Sequence, residues 1–139
     1  MINAIYMLVA KVAIGEGEDA YTTGANVAQD ALTQLGTTPG LVIVFSSVKY
    51  DQEKMLAGVR SVTKDALLVG SSTAGEITTD GPAKKHSVAV MVLHSDSVKF
   101  YAGVGEGIEK GPREAGKRAA EAVKVQATEP LKTFMMIPY

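Results

Sequence analysis

Two stretches of the sequence decide the fold: LVIVFSS at residues 41–47 and ALLVGSSTAGE at residues 66–76. Each begins with a continuous apolar run, and each run breaks into short hydroxyl residues. Continuous apolar runs of this length are typical of strands buried on both faces, as in parallel sheets covered by helices. In the segment between them, apolar residues recur at helical spacing. The two stretches therefore predict a β-α-β unit inside an α/β domain.

The sequence on the N-terminal side predicts a strand followed by a helix. Ile5–Ile14 is rich in apolar and β-branched residues and ends at a glycine turn. Asp19 is placed to cap a helix, whose apolar residues recur at spacings of three and four until Gly36. Asp51 begins a second helix in the same way, between the two deciding stretches.

The sequence on the C-terminal side predicts two strands, a helix and a last strand. The two strands are Ser87–Leu93 and Val98–Val104, and a short hairpin loop over 94–97 joins them. Pro112 lies in the first turn of the third helix, and Thr133–Ile137 forms the final strand. The predicted architecture is α/β, a single domain whose mixed, mostly parallel sheet has flanking helices, in the order β-α-β-α-β-β-β-α-β.

The composition fits a globular domain and excludes several classes of function. Of the 139 residues, 46% are hydrophobic and 21% are charged, both near globular averages. The net charge of −1 gives no attraction to phosphates or anionic lipid, so we expect no nucleic acid and no membrane as partners. The sequence has no cysteine, which excludes disulfides, thiol catalysis and cysteine-ligated zinc. With two histidines as well, we expect no metal and no cofactor.

The two ends of the sequence carry predictions about location and length. The first ten residues are apolar but lack a basic leader region, and no apolar run reaches the ~18 residues that span a bilayer. We therefore expect a cytoplasmic protein. Residues 1–139 end directly after an apolar strand, so we expect a fragment of a longer protein. An unprotected last strand favours pairing with a second copy, which predicts a homodimer.

Hydroxyl side chains follow both central strands, at the strand ends where open α/β sheets bind their ligands. Short hydroxyls and backbone amides can hydrogen-bond a small polar ligand, neighbouring glycines allow close approach, and one acidic residue can hold a ligand ammonium. Ordinary flexible turns have the same composition, so this alternative stays open. The predicted ligand-contacting residues are Ser46, Ser47, Gly70, Ser71, Ser72, Thr73, Gly75 and Glu76.

The run GSSTA at 70–74 resembles the nucleophile elbow of serine hydrolases, with Ser72 as the nucleophile. An elbow needs a strand, a sharp turn and then a helix. The strand is predicted, but the turn signature at 78–82 opposes the helix.

A hydrolase would also need a base and an acid. His86 is the available base, and Glu76 or Asp80 would be the acid. We expect a binding domain with no catalytic residue; a hydrolase that uses Ser72 and a purely structural dimerisation module stay as alternatives.

Several runs resemble the N-terminal domain of the FIST family, the F-box and intracellular signal transduction proteins. The most specific is VGSSTAGEI at 69–77, accompanied by VFSSVKYD at 44–51, LAGVR at 56–60 and SVAVMVL at 87–93. The resemblance covers nearly the whole chain. It implies a sensory input module that binds small ligands such as amino acids or small carboxylates. It also implies a signalling output domain in the full-length protein.

Overall fold

The computed structural model describes residues 7–78, 81–84 and 86–137, with the backbone alone at 78 and 81–84. They form two compact units. The first contains residues 7–99 together with Ile137, and the second contains residues 100–136. No helix within the described ranges is long and apolar enough to cross a membrane.

The first unit is a four-stranded sheet with two helices and a small hairpin. Its elements, in chain order, are β1 (Leu8–Gly15), α1 (Ala20–Leu35), β2 (Leu41–Ser47), α2 (Gln52–Thr63), β3 (Leu67–Thr73), β4 (Glu76–Thr78), β5 (Gly81–Lys84) and β6 (Val88–Ser95). The strand order in the sheet is β1-β6-β2-β3, and β4 pairs with β5 in a separate two-stranded sheet. The α/β class with flanking helices is confirmed.

The large sheet is mixed, as predicted, but its parallel share is smaller than the sequence indicated. β2 and β3 are parallel, whereas β6 is antiparallel to both β1 and β2. The sequence predicted a mostly parallel sheet, and one of these three pairings is parallel. The reason is that β6 returns through the β4–β5 hairpin and enters the sheet between β1 and β2.

The core of the first unit lies between one face of the sheet and both helices. Val44 of β2 and Val90 of β6 are 2% and 0% exposed. They belong to one buried cluster with Ala28 of α1 and with Met55 and Val59 of α2. Because side chains alternate along a strand, every second residue of β2 and β6 faces the helices.

Both helices of this unit begin at the predicted aspartates. The Asp19 carboxylate accepts the backbone N–H of Thr22 at 2.8 Å, and Asp51 accepts that of Lys54 at 3.1 Å. The hydroxyl and amide of Thr22 lower the pKa of Asp19, and the Lys54 amide lowers the pKa of Asp51. Each helix N-terminus is thus occupied by its own carboxylate.

The hydroxyl residues lie within the strands, which corrects the prediction that they leave them as flexible loops. β2 continues through Ser46 and Ser47, and β3 continues through Ser71 to Thr73. A strand ladder uses backbone groups alone, so polar side chains do not end it when a neighbouring strand continues the pairing. Ser46 has such neighbours on both sides, in β3 and in β6.

The second unit is built on helix α3 (Pro112–Lys124), which begins at the predicted proline. The residues from 100 to 107 have no strand or helix structure and lie against α3. A methyl group on Gly103 would come within 2.3 Å of the Ala119 carbonyl oxygen, and one on Gly105 within 1.8 Å of the Ala115 oxygen. The two glycines therefore permit this close contact.

Two predicted strands are wrong. Val98–Val104 is not a strand, because both edges of β6 are already paired, with β1 and with β2, and a hairpin partner has no edge to join. Thr133–Ile137 has the composition of a strand, but no strand of the described chain pairs with it, and Phe134 is 87% exposed. The predicted turn at 78–82 lies between β4 and β5, and its residues 79 and 80 are outside the described part of the chain.

Candidate functional site

The hydroxyl residues of β2 and β3 meet at one end of the sheet. Because these strands are parallel and in register, Ser46 pairs with Ser72 and Ser47 pairs with Thr73, while Ser71 lies opposite Phe45. The structure thus brings these five predicted residues together on two adjacent strands. We call Ser46, Ser47, Ser71, Ser72 and Thr73 the hydroxyl cluster.

The hydroxyl cluster is divided between the two faces of the sheet. Side-chain alternation places Ser46 and Ser72 on the face that packs on the helices, and Ser47 and Thr73 on the opposite face. The two serines of β2 are 1% exposed, whereas the cluster residues of β3 are half-buried. A ligand therefore reaches β3, the edge strand, more readily than β2.

Gln52, the first residue of α2, fixes the turn after β2. Its amide oxygen accepts the Ser46 hydroxyl at 2.7 Å. Its amide nitrogen donates to the carbonyl oxygens of Ser47 at 2.9 Å and Tyr50 at 3.0 Å. One side chain thus satisfies a buried hydroxyl and two backbone carbonyls beside the cluster, which no sequence pattern had indicated.

Replacing Gln52 by alanine should lower the free energy of unfolding by about 2 kcal/mol, because it leaves these polar groups without their partner. Urea unfolding of both proteins measures the difference. Gln29→Ala is the matched control, since the Gln29 amide makes a single exposed bond, to Thr33, at 3.3 Å. The control should stay within about 0.5 kcal/mol of wild type; equal losses in both variants would contradict the role of Gln52.

Tyr50 joins three segments at the same end of the sheet. It is 5% exposed, and its hydroxyl donates to the carbonyl oxygen of Gly17 at 2.9 Å or of His86 at 3.3 Å. The same hydroxyl accepts the Gly17 amide at 3.3 Å. The rings of Tyr50 and His86 lie 4.3 Å apart between centroids. The loops after β1 and β2 and the segment before β6 are thereby held together.

Glu76 is buried beside the hydroxyl cluster. It is 4% exposed, and its two carboxylate oxygens accept hydrogen bonds from different hydroxyls, Thr73 on one and Ser87 on the other. Ser87 is fully buried, and its carbonyl oxygen accepts the Ser47 amide at 2.9 Å. The acidic residue predicted for a ligand ammonium is therefore bound within the protein itself.

Two open clefts of the first unit lie away from the hydroxyl cluster. One, of about 310 Å³, is lined by the loop after β1 and the start of α1, including Glu18 and Asp30. The other, of about 460 Å³, is lined by β1 and by Asp30, Thr33 and Gln34 of α1. Neither cleft is lined by a residue of the hydroxyl cluster.

The geometry gives the hydrolase alternative no support. β3 is followed by strand β4 and not by the helix that a nucleophile elbow needs. Among the described side chains, no histidine or carboxylate hydrogen-bonds the Ser72 hydroxyl, and the His86 ring packs at a tilt against that of Tyr50. Asp80, the second candidate acid, lies outside the described residues.

The remaining predicted residues are glycines that flank the cluster. Gly70 lies within β3, directly opposite Val44. Gly75 is half-buried between β3 and β4. Sequence reasoning missed Gln52, Tyr50 and Ser87, which are ordinary residues for a helix start, a loop and a strand start, so their partners were not visible in any local pattern.

Comparison with known proteins identifies one family. A search of curated protein sequences found no match. Among solved structures, the chain is similar to thiamine-monophosphate kinase from Stenotrophomonas maltophilia K279a, at 16% identity and a TM-score of 0.48. The match covers 74% of this chain and spans 37% of the kinase, and at that level it carries no conclusion about fold or function.

The family comparison covers most of the chain. The sequence profile of the FIST N domain matches residues 40–138, which include the hydroxyl cluster, Gln52 and Glu76. FIST domains are sensory domains of signal-transduction proteins. The chain belongs to the FIST N domain family.

Proposed function

We propose that this domain is the sensory input module of a signal-transduction protein and binds a small polar ligand at the hydroxyl cluster. The observation that carries the proposal is the parallel register of β2 and β3, which places five hydroxyl residues on two adjacent strand ends. In open α/β sheets this is the edge at which ligands bind. Membership of a sensory family supports a binding role over a catalytic one.

The proposed ligand is an amino acid or a small carboxylate. The hydroxyl of Ser72 is half-buried and makes no hydrogen bond within the described chain, so it can donate to a ligand without breaking an existing bond. Ser71 and Thr73 flank it on the edge strand, and the buried Ser46 and Ser47 lie opposite on β2, Ser46 on the same face of the sheet as Ser72 and Ser47 on the same face as Thr73. Glu76 belongs to the site because Thr73 donates to it.

The proposal extends to the cell and to partners. We place the domain in the cytoplasm, next to a signalling output domain of the full-length protein. We also propose that it forms a homodimer, since β3 is an edge strand whose seven residues carry no charge.

A thermal-shift screen of amino acids and small carboxylates tests the binding role. A ligand at 100 times its Kd should add about 2.7 kcal/mol of stability, a shift of several degrees. The double variant Ser72→Ala, Thr73→Ala should lose this stabilisation, because it removes two hydroxyl donors of the cluster's edge strand.

The matched control is Thr33→Ala, Ser97→Ala, which removes two exposed hydroxyls elsewhere. It should keep the full ligand-induced shift. Unchanged stabilisation in the cluster variant would contradict the site. Tight self-association of a well-folded sample that no compound stabilises would instead favour the dimerisation module, and ester turnover lost in Ser72→Ala would favour the hydrolase.

A further inference from the structure

The carboxylate of Glu76 is held in the way that a protein holds a bound carboxylate ligand. The Thr73 hydroxyl donates to one oxygen and the Ser87 hydroxyl to the other. The three residues come from different elements: Thr73 ends β3, Glu76 begins β4, and Ser87 precedes β6. Hydrogen bonds from hydroxyls to an ionised carboxylate are among the stronger ones in proteins.

The described partners of this carboxylate are two hydroxyl donors, those of Thr73 and Ser87. Among the side chains that the structure describes, no lysine, arginine or histidine forms an ion pair with Glu76. Two ionised carboxylates in such a small buried site repel each other strongly. An ionised ligand carboxylate therefore binds these donors favourably only when that of Glu76 leaves.

The contact has features of an exchangeable one. Glu76 lies on β4, which pairs with β5 in a two-stranded sheet separate from the large one. A two-stranded hairpin contributes little stability of its own. The Thr73 hydroxyl also has a second acceptor within reach, the Ser46 carbonyl oxygen at 3.5 Å. If the Glu76 carboxylate departs, the Thr73 hydroxyl can donate to the Ser46 carbonyl oxygen, and the Ser87 hydroxyl can donate to the incoming carboxylate.

We propose that the hydroxyls of Thr73 and Ser87 form a carboxylate-binding subsite, which Glu76 fills as a built-in competitor until a ligand carboxylate displaces it. This assigns Glu76 the opposite role to the ammonium contact predicted from the sequence. The subsite proposal rests on the proposed function only for the rest of the ligand, which the other hydroxyls of the cluster would bind. The subsite itself requires nothing more than a carboxylate group.

Calorimetric titration with sodium acetate tests the subsite, with sodium chloride of equal ionic strength as the blank. Glu76→Ala should bind acetate about tenfold more tightly than wild type, because the competitor that occupies most of the wild-type population is gone. Glu76→Gln should show a smaller gain in the same direction, and it carries the test if the alanine variant does not fold. Adding Thr73→Val to either variant should remove the gain.

The wild-type protein provides an independent readout. Adding acetate should move the side-chain carboxyl carbon resonance of Glu76 toward the value of a solvated glutamate. Equal acetate affinity in wild type and both variants would overturn the inference, and so would methylammonium binding that is lost in Glu76→Ala.

The two proposals can fail separately. If no compound of the screen stabilises the wild type but acetate still binds the variants more tightly, the subsite stands and the sensory ligand does not. If a ligand binds the wild type at the cluster and neither Glu76 variant gains affinity for acetate, the subsite alone is overturned.

Discussion

Replacing Gly58 by alanine is expected to destabilise the protein by about 3 kcal/mol, at the upper end of the cost of overpacking a core. In most helix interiors the same change stabilises, because glycine loses more conformational freedom on folding than alanine. Here α1 and α2 touch backbone to backbone. A methyl group on Gly58 would lie 2.0 Å from the Tyr21 carbonyl oxygen, and one on Gly24 would lie 2.3 Å from the Met55 oxygen. Neither carbonyl can move without separating the helices.

Urea unfolding measures the effect, and the chain contains a matched control. Gly116 also lies inside a helix, α3, but no atom lies within 4 Å of the position that its methyl group would take. Gly116→Ala should therefore stabilise by about 0.5–1 kcal/mol, the ordinary helix preference for alanine. A Gly58→Ala variant as stable as wild type would show that the helices do not pack this closely.

The substitution Gly70→Ala is expected to cost about 2–3 kcal/mol and to abolish ligand-induced stabilisation as well. Gly70 lies opposite Val44 in the parallel pair, and its methyl group would lie 1.9 Å from the Val44 carbonyl oxygen. To accommodate it, β3 must shift against β2. That shift moves Ser72 away from Ser46 and disrupts the hydroxyl cluster.

Gly15→Ala is the control within the same sheet. The methyl group there would meet a side-chain atom of α1, Cγ2 of Val27 at 2.6 Å, and no backbone atom of a paired strand. We expect a loss of about 1–3 kcal/mol from overpacking but normal ligand binding, because the β2–β3 register is untouched. Thermal-shift measurements with the ligand of the screen separate the two variants. Full ligand-induced stabilisation of Gly70→Ala would indicate that binding does not depend on the β2–β3 register.

Local signals in the sequence were sufficient for the helices and for the central strands. The aspartates before α1 and α2 are hydrogen-bonding caps, and Pro112 begins α3. These helix starts are predictable because a cap and the groups it binds lie within a few residues of each other. The apolar runs of β2 and β3 likewise indicate that these strands are buried in the sheet. That their hydroxyl ends meet depends on β2 and β3 being neighbours in the sheet, and the sequence does not determine strand order.

Pairing between distant strands was beyond local signals. The run from Val88 to Val92 shows that a strand is buried, but not that it lies between β1 and β2. The local pattern of Val98–Val104 therefore predicts a hairpin strand, although neither edge of β6 is open to it. The same limit applies to Glu76, because a carboxylate after a strand looks solvent-exposed until Ser87, eleven residues later, is seen to donate to it.

The central claim is that the small ligand binds at the hydroxyl cluster, and a ¹⁵N–¹H correlation spectrum during ligand titration tests it most directly. The largest amide shifts should fall at residues 46–47 and 71–76 and at Ser87, and saturate at the affinity that the thermal shift reports. Amide resonances of the 310 Å³ cleft between the loop after β1 and the start of α1 should shift little. Shifts concentrated around that cleft, with the cluster amides unmoved, would contradict the claim.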